Sequence, residues 1–325
     1  MFHQTELYQS LWWAHVAPQL DLAGRFGNWA ILKKKVLKGL YTVKQMKLAG
    51  WENDWAQQVT ADDMAQLSDP QTARGWDYLK ITTTPSLDNP NFWEWVTHQR
   101  CPYAQWESSA EFLIDFSQGW ETYWEARSSK VRCEYRRKIK KAADQQPEFR
   151  LLNHEAPVDT YLAQFYEGHT AYWRDKGTES VFATPHGKAF FTAWVKALTA
   201  DDQLRFYGFF LNGRLTSMRF GVLHGGVYYS LVTVNTGDFQ EFSPGVIALH
   251  EELVQLAGEG VQTYNMGPGA LRYKTDLATQ KVPYLTALVA NPRSTTGKLV
   301  ISRKKQDLEK QAAEEAAAAT AKTPA

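Results

Sequence analysis

The sequence predicts an α/β (α+β) fold, and three observations carry that prediction. In the first half, segments with strand-like alternation are interleaved with segments of helical character. In the second half, three apolar runs are separated by Asn212-Gly213 and Gly225-Gly226, which favour two-residue hairpin turns, so residues 203–235 form an antiparallel meander. The meander is followed by a loop, a helix, a strand, a glycine turn and a last strand. At 325 residues a single core has usually stopped growing, so two domains of roughly 120–170 residues, or one large α/β domain, are expected.

Taken in order, residues 5–17 read as an amphipathic helix ending before Pro18, and 26–32 and 40–48 as strands. Lys33, Lys34, Lys35 and Lys38 between them suit a solvated hairpin end or a lysine-protected edge. TADDMAQL (60–67) opens with a threonine cap and acids in its first turn, as a short helix does. Residues 77–82 and 111–116 are strands, and 90–99 a helix. From Gly119 about 26 residues run without a further Gly or Pro, which predicts one long helix ending before Pro147. Within residues 127–141 that helix carries Arg127, Lys130, Arg132, Arg136, Arg137, Lys138, Lys140 and Lys141 against one acid, Glu134. Arg132, Arg136 and Lys140 share a face, where they repel unless an anion lies against them. Beyond it come a strand (148–153), helices at 157–177 and 185–200, the meander, a helix starting near Val246, a strand (261–266), the turn 267–269 and a strand (283–290). The tail beyond Arg293 is rich in Ala, Lys and Glu and is expected as a solvated helix fraying to disorder.

Composition excludes several classes. With 44% hydrophobic and 22% charged residues, the chain is neither disordered nor collagenous. The net charge of +1 argues against a surface built wholly for nucleic acid or anionic membrane. Cys101 and Cys133 have no zinc or disulfide spacing, and a reducing cytoplasm fits them best. No secretory leader is recognisable, and no run approaches the ~18 apolar residues of a membrane span, so a soluble cytoplasmic protein is expected. The histidines form no HxxxH or HxH pair, which leaves a metal site unsupported; His169 and His250, on helices, read as structural. Neither a GxSxG elbow nor a GxxxxGK[ST] loop is present.

A meander whose final strand feeds a turn at a helix N-terminus is physically an anion site, because the first helical amides lack internal partners and the dipole adds positive potential. Ser243, Pro244 and Gly245 occupy that turn. Ser243 is expected to cap the helix, Pro244 to set its direction, and Gly245 to allow close backbone approach.

The order GxYYxLxTxNxxDFxxFSPGxxxLxxxLxxxAxxxGVxxYNMGPGxxxYK, with the basic YWEARSSKVRCEYRRKIKKA upstream, resembles the CelD/FemAB-like branch of the GNAT acyltransferases. The resemblance spans roughly residues 111–275. It implies two tandem GNAT-like modules, each a mixed, mainly antiparallel twisted sheet flanked by helices: a degenerate module at 1–117, a basic connecting helix at 118–146 and the acyltransferase module at 147–293, with the charged tail at 294–325. It also implies transfer of an acyl group from acyl-CoA, without a metal, to an amine or hydroxyl. A sugar-linked acceptor is plausible, since the CelD branch is associated with exopolysaccharide production. FemAB relatives take an aminoacyl group from tRNA instead, which is the alternative donor.

Carried over residue by residue, the resemblance puts backbone donors near Thr233 and Val234 on the thioester carbonyl, where they would stabilise a tetrahedral oxyanion. Ser243, Gly245 and Val246 would hold the diphosphate of coenzyme A, Arg132, Arg136 and Arg137 would neutralise phosphates, and Gly267 and Gly269 would let the backbone approach the donor. Lys274, in the family's YK element, would hold a phosphate or an acceptor carboxylate, with Tyr273 beside it. Relatives commonly carry aspartate where this chain has Asn265, which cannot serve as a base near neutral pH. Asp238 and Glu241 are the replacement candidates. A catalytically inactive scaffold for polysaccharide synthesis is the reading Asn265 would favour if no other base exists.

Overall fold

A computed structural model describes residues 5–36, 39, 41–50, 56–72, 74–85, 89–154 and 158–321. The expectations for Lys38, Leu40, Pro157 and residues 322–325 lie outside them. The first half contains α1 (Glu6–His15), β1 (Leu22–Phe26), β2 (Trp29–Val36), β3 (Tyr41–Leu48), α2 (Ala61–Ser68), β4 (Tyr78–Thr83), α3 (Pro90–His98) and β5 (Tyr103–Asp115). Next come α4 (Gly119–Glu125), α5 (Ser129–Ala142), β6 (Glu148–Leu151), α6 (Asp159–Asp175) and α7 (Pro185–Ala200). The chain continues with β7 (Leu204–Leu211), β8 (Arg214–His224), β9 (Val227–Asn235), α8 (Pro244–Gly258), β10 (Thr263–Pro268), α9 (Arg272–Leu277), β11 (Gln280–Ala290) and α10 (Thr295–Ala321).

Two compact units result: one comprises Met1–Val16 and Ala110–Val282, the other Ala17–Ser109 and Pro283–Ala325. Each unit takes strand residues from the other half of the sequence, β11 in one and β5 in the other. In the second unit β1-β2-β3-β4-β11 are neighbours, with β3 parallel to β4 and the remaining pairs antiparallel. In the first unit the order is β5-β10-β9-β8-β7-β6, with β9 parallel to β10 and the remaining pairs antiparallel. The strands of each unit follow one plan: an antiparallel meander, a helix, a parallel strand, and an antiparallel strand beside it.

Several local expectations are met for the reasons given. Thr60 caps α2 in a reciprocal capping box with Asp63, and α7 starts on Pro185 behind the Thr184 cap. Others are corrected. The single long helix is two, because the Ser128 hydroxyl accepts the Val131 amide and starts α5 afresh after α4 ends. Lys33, Lys34 and Lys35 lie within β2, not between strands, with Lys33 opposite Lys44 of β3. The tail forms α10, whose first turns are anchored by buried Ile301 packed with Ala104 and Ala290.

In the first unit α6 and α7 cover one face of the meander. Phe165, Phe191, Phe206 and Phe220 pack there with centroid separations of 4.6–5.6 Å between contacting rings such as Phe191–Phe220 and Phe165–Phe206. Helix α6 lies so close to β9 that a Cβ on Gly168 would come within 2.4 Å of Val234 Cγ1. Helices α5 and α8 cover the other face, over Phe112, Ile114, Tyr228, Tyr264 and Met266. Burying each such side chain contributes about 1.5–3 kcal/mol.

Candidate functional site

The parallel ladder between β9 and β10 runs from Val227↔Thr263 to Tyr229↔Asn265 and stops there. Strand β9 continues to Asn235 paired only to β8, after an extra residue at the Phe220/Gly221 irregularity. Among the described residues no strand pairs with 230–235 on the β10 side, so that edge offers backbone donors and acceptors. Thr233 is exposed and Val234 buried, opposite Arg219 and Met218 respectively.

Helix α8 begins beyond this open edge. Phe239 and Ser243 both adopt a φ of 57°, in the left-handed region rarely used by non-glycine residues. Ser243 does not cap α8, contrary to expectation: its backbone closes the turn Gln240–Phe242, and its side chain makes no bond to the helix amides. The amides of Val246 and Ile247 instead reach back to the Ser243 carbonyl, at 3.0 and 3.4 Å. The Gly245 N–H has no acceptor among the described residues. A Cβ on Gly245 would meet Asn235 Oδ1 at 2.6 Å, so glycine lets the end of β9 approach the helix start.

Of the basic helix α5, Lys141 is the residue brought to this turn. Its Nζ donates to the Glu241 carbonyl at 2.8 Å and sits 5.4 Å from the centre of the Phe242 ring. Arg132 lies nine residues earlier, about 13 Å along the helix axis. Arg136 and Arg137 are exposed and Arg132 half-buried, so these three line the helix that leads to the turn. Asp238 forms a surface ion pair with Arg214 at 2.7 Å. Glu241 is exposed and enters the turn through its carbonyl.

The glycine turn is held from within. Gly267 and Gly269 have φ of 73° and 99°, accessible to glycine at little strain. Buried Lys274, on the short helix α9 that follows, donates from Nζ to the carbonyls of Pro268 (2.8 Å) and Gly267 (3.3 Å). Burial lowers its pKa from 10.5 to about 8. Because the unfolded chain keeps that proton up to its ordinary pKa, folding stability rises with pH between about 8 and 10.5, by up to about 3 kcal/mol. Denaturant unfolding at pH 8 and pH 10 should show that gain in wild type relative to Lys274→Met, the buried tyrosines cancelling in the difference; an identical pH response of the two proteins would contradict it. Tyr273 keeps an exposed ring, and desolvation raises its phenol pKa, with Arg219 lowering and Glu252 raising it.

Beneath the fork, on the α8 side, lies a charge network that sequence reasoning missed. Glu252 of α8 is fully buried. It accepts from Arg219 Nε at 2.6 Å, Tyr228 Oη at 2.6 Å and Tyr264 Oη at 2.5 Å. A Cβ on Gly221 would strike Tyr228 Oη at 2.1 Å, so this glycine lets the phenol reach the carboxylate. Arg219 is held protonated, its pKa raised by Glu252 and the tyrosines against the opposing effect of burial, which is the largest single influence. The network ties β8, β9 and β10 to α8 where the ladder ends.

Asn265 is buried at that last rung. Its Nδ2 donates to Glu111 Oε2 of β5 at 2.8 Å and its Oδ1 accepts the Gly267 amide at 2.8 Å. Glu111, 8% exposed, is thus a carboxylate held directly against the Asn265 amide. No local signal marks it: the contact joins residues 154 apart.

His169 and His250 have partners within the fold. Trp173 Nε1 donates to His169 Nε2, so the ring proton is on Nδ1 and donates to Ser180 Oγ at 2.8 Å. Burial lowers the His169 pKa to about 4. His250 lies against Trp120 and Trp124 with Nδ1 3.1 Å from Glu251 Oε1. Among the described residues no group of three or more His, Cys, Asp or Glu is placed to hold a metal ion, and no helix is long and apolar enough to cross a membrane.

Residues 129–275 match the family model described as an acetyltransferase (GNAT) domain. No curated protein matches the chain. Among solved structures it is similar to the C-terminal domain of a putative lysylphosphatidylglycerol synthetase from Agrobacterium fabrum, with 11% identity, a TM-score of 0.51, and 89% of this chain and 90% of that one covered. It is likewise similar to FemX (11%, 0.51, 82% and 86%) and to L-PGS from Bacillus licheniformis (13%, 0.50, 86% and 86%). At these identities the likeness is one of fold. The fork between the parallel strands and the helix that follows it both lie inside the span matched by the GNAT domain model.

Proposed function

We propose that the chain is an acyl-CoA-dependent N- or O-acyltransferase of the CelD/FemAB-like branch, in which an amine or hydroxyl attacks the thioester directly. The carrying observation is the fork: β9 and β10 part after Tyr229↔Asn265, and α8 opens immediately beyond. The thioester would lie along the open edge, its carbonyl polarised by backbone amides near Thr233 and Val234. The diphosphate would rest at Ser243, Gly245 and Val246 with Lys141 beside it, and Arg132, Arg136 and Arg137 would extend the positive field along α5. Gly267 and Gly269, braced by Lys274 and flanked by Tyr273, would form the opposite wall. A covalent enzyme intermediate has no support, since burial pushes the Cys101 thiol up to about 11 and Cys133 is an exposed residue on α5. In this reading the second half of the sequence carries the transferase module and the first a degenerate copy, acting in the cytoplasm on a polysaccharide- or envelope-related acceptor.

A second reading keeps the fold and takes the acyl group from aminoacyl-tRNA. The likeness to FemX and to lysylphosphatidylglycerol synthetase domains, with the basic face of α5, favours it. Thermal unfolding with acetyl-CoA, longer acyl-CoAs and free coenzyme A separates the two. A donor at 100 times its Kd stabilises the fold by about 2.7 kcal/mol. A raised midpoint with one acyl-CoA is expected; no response to any of them, with salt-sensitive binding of charged tRNA, selects the second reading.

A further inference from the structure

We propose that Glu111 accepts the proton of the attacking acceptor, with Asn265 as its positioning residue; this rests on the acyltransferase reading above. The Asn265 amide has a defined orientation, because its Oδ1 must face the Gly267 N–H and its Nδ2 therefore faces Glu111. A donor aimed at the carboxylate favours its ionised, proton-accepting form.

The strand alternation places this pair. Tyr228, Tyr264, Met266, Phe112 and Ile114 point to the α8 side, so Tyr229, Asn265 and Glu111 share the opposite face at the end of the parallel ladder. With the donor diphosphate at the start of α8, an acceptor reaches the thioester from the face carrying Glu111. The acceptor's N–C or O–C bond forms as the thioester C–S bond breaks. The acceptor's proton passes to Glu111 and from there to the departing thiolate, so atoms and charge balance. Tyr229 of β9 stands beside the carboxylate; Lys274 of α9 bonds through Nζ to the carbonyl of Pro268, whose strand position pairs with Glu111. Asp115 lies on the same strand, and Lys281 of β11 two residues past Thr279, whose amide bonds the Leu113 carbonyl. Tyr229 senses the charge: burial chiefly, and then Glu111, raise its phenol to about 12.

The test uses the full chain and the acyl-CoA that raises its unfolding midpoint most, following thiol release with water alone and with glucosamine as acceptor. Glu111→Gln, which can still accept from Asn265, should keep the donor-induced midpoint shift and lose about 100-fold or more in thiol release. Glu111→Asp should retain part of the rate. Asn265→Leu should move the acidic limb of the pH–rate profile upward, since the carboxylate loses its donor; a purely structural role would leave that limb in place. Equal donor shifts with equal release rates in wild type and Glu111→Gln overturn the proposal while the donor site stands. No shift with any acyl-CoA in wild type overturns the acyltransferase reading and this proposal with it.

Discussion

Arg219→Leu is expected to destabilise the chain by about 3–5 kcal/mol, the largest effect of any single substitution argued from this fold. The loss follows from what stays behind. Glu252 is fully buried, and its carboxylate is balanced by one cation at 2.6 Å. Tyr228 and Tyr264 supply neutral donors but no positive charge. Removing the guanidinium strands an anion in the core, whereas removing both charges would not. The double variant Arg219→Leu/Glu252→Leu should therefore recover part of the loss, with a coupling measurable in a double-mutant cycle. Against a typical total stability of about 5–15 kcal/mol, the single variant should unfold roughly 4–7 °C below wild type, read by circular dichroism on heating. A single variant within about 1 kcal/mol of wild type would mean that Glu252 finds another cation or is protonated in the fold.

What the sequence made legible was local. Pro185 behind a threonine marks the start of α7, and Asn212-Gly213 and Gly225-Gly226 mark the meander turns, because proline and glycine act through their own backbone dihedrals. The break at Ser128 was hidden by strong helix formers on both sides of a weak two-serine signal. The short α9 was missed because six residues carry too little periodicity. Ser243 misled in a different way: Ser-Pro-Gly has the composition of a cap, yet with the left-handed backbone inherited from the turn before it the side chain makes no cap bond. Site residues that depend on strand neighbours were out of reach. Period-two alternation says which face Glu111 occupies but not that β5 lies against β10. The partners of Glu252, at separations of 33, 24 and 12 residues, come from three different strands. The same gap explains the unit bounds, since nothing local in β11 says that it pairs with β4.

Gly245→Val should lower acyl-CoA affinity at least tenfold while leaving the fold within about 1 kcal/mol of wild type, a difference of 1.4 kcal/mol being tenfold in binding. The position tolerates a side chain as far as folding is concerned. The first atom a Cβ meets, at 2.6 Å, is the tip of Asn235, an exposed side chain at the end of β9 that can swing aside. Valine is also no worse than glycine for helix propensity. What the substitution removes is access: the Gly245 N–H is the first-turn donor left unused beside Lys141, and a branched side chain there stands where a phosphate oxygen would approach. Asn235→Ala separates the two ways of losing affinity. If the valine acts by displacing the Asn235 amide, Asn235→Ala alone should weaken donor binding to the same degree. If it acts by closing the approach to the helix amides, Asn235→Ala should bind acyl-CoA as wild type does and Gly245→Val should not, measured by calorimetric titration of each folded variant. Wild-type affinity in Gly245→Val would move the donor away from the start of α8 and leave the open edge of β9 without its ligand.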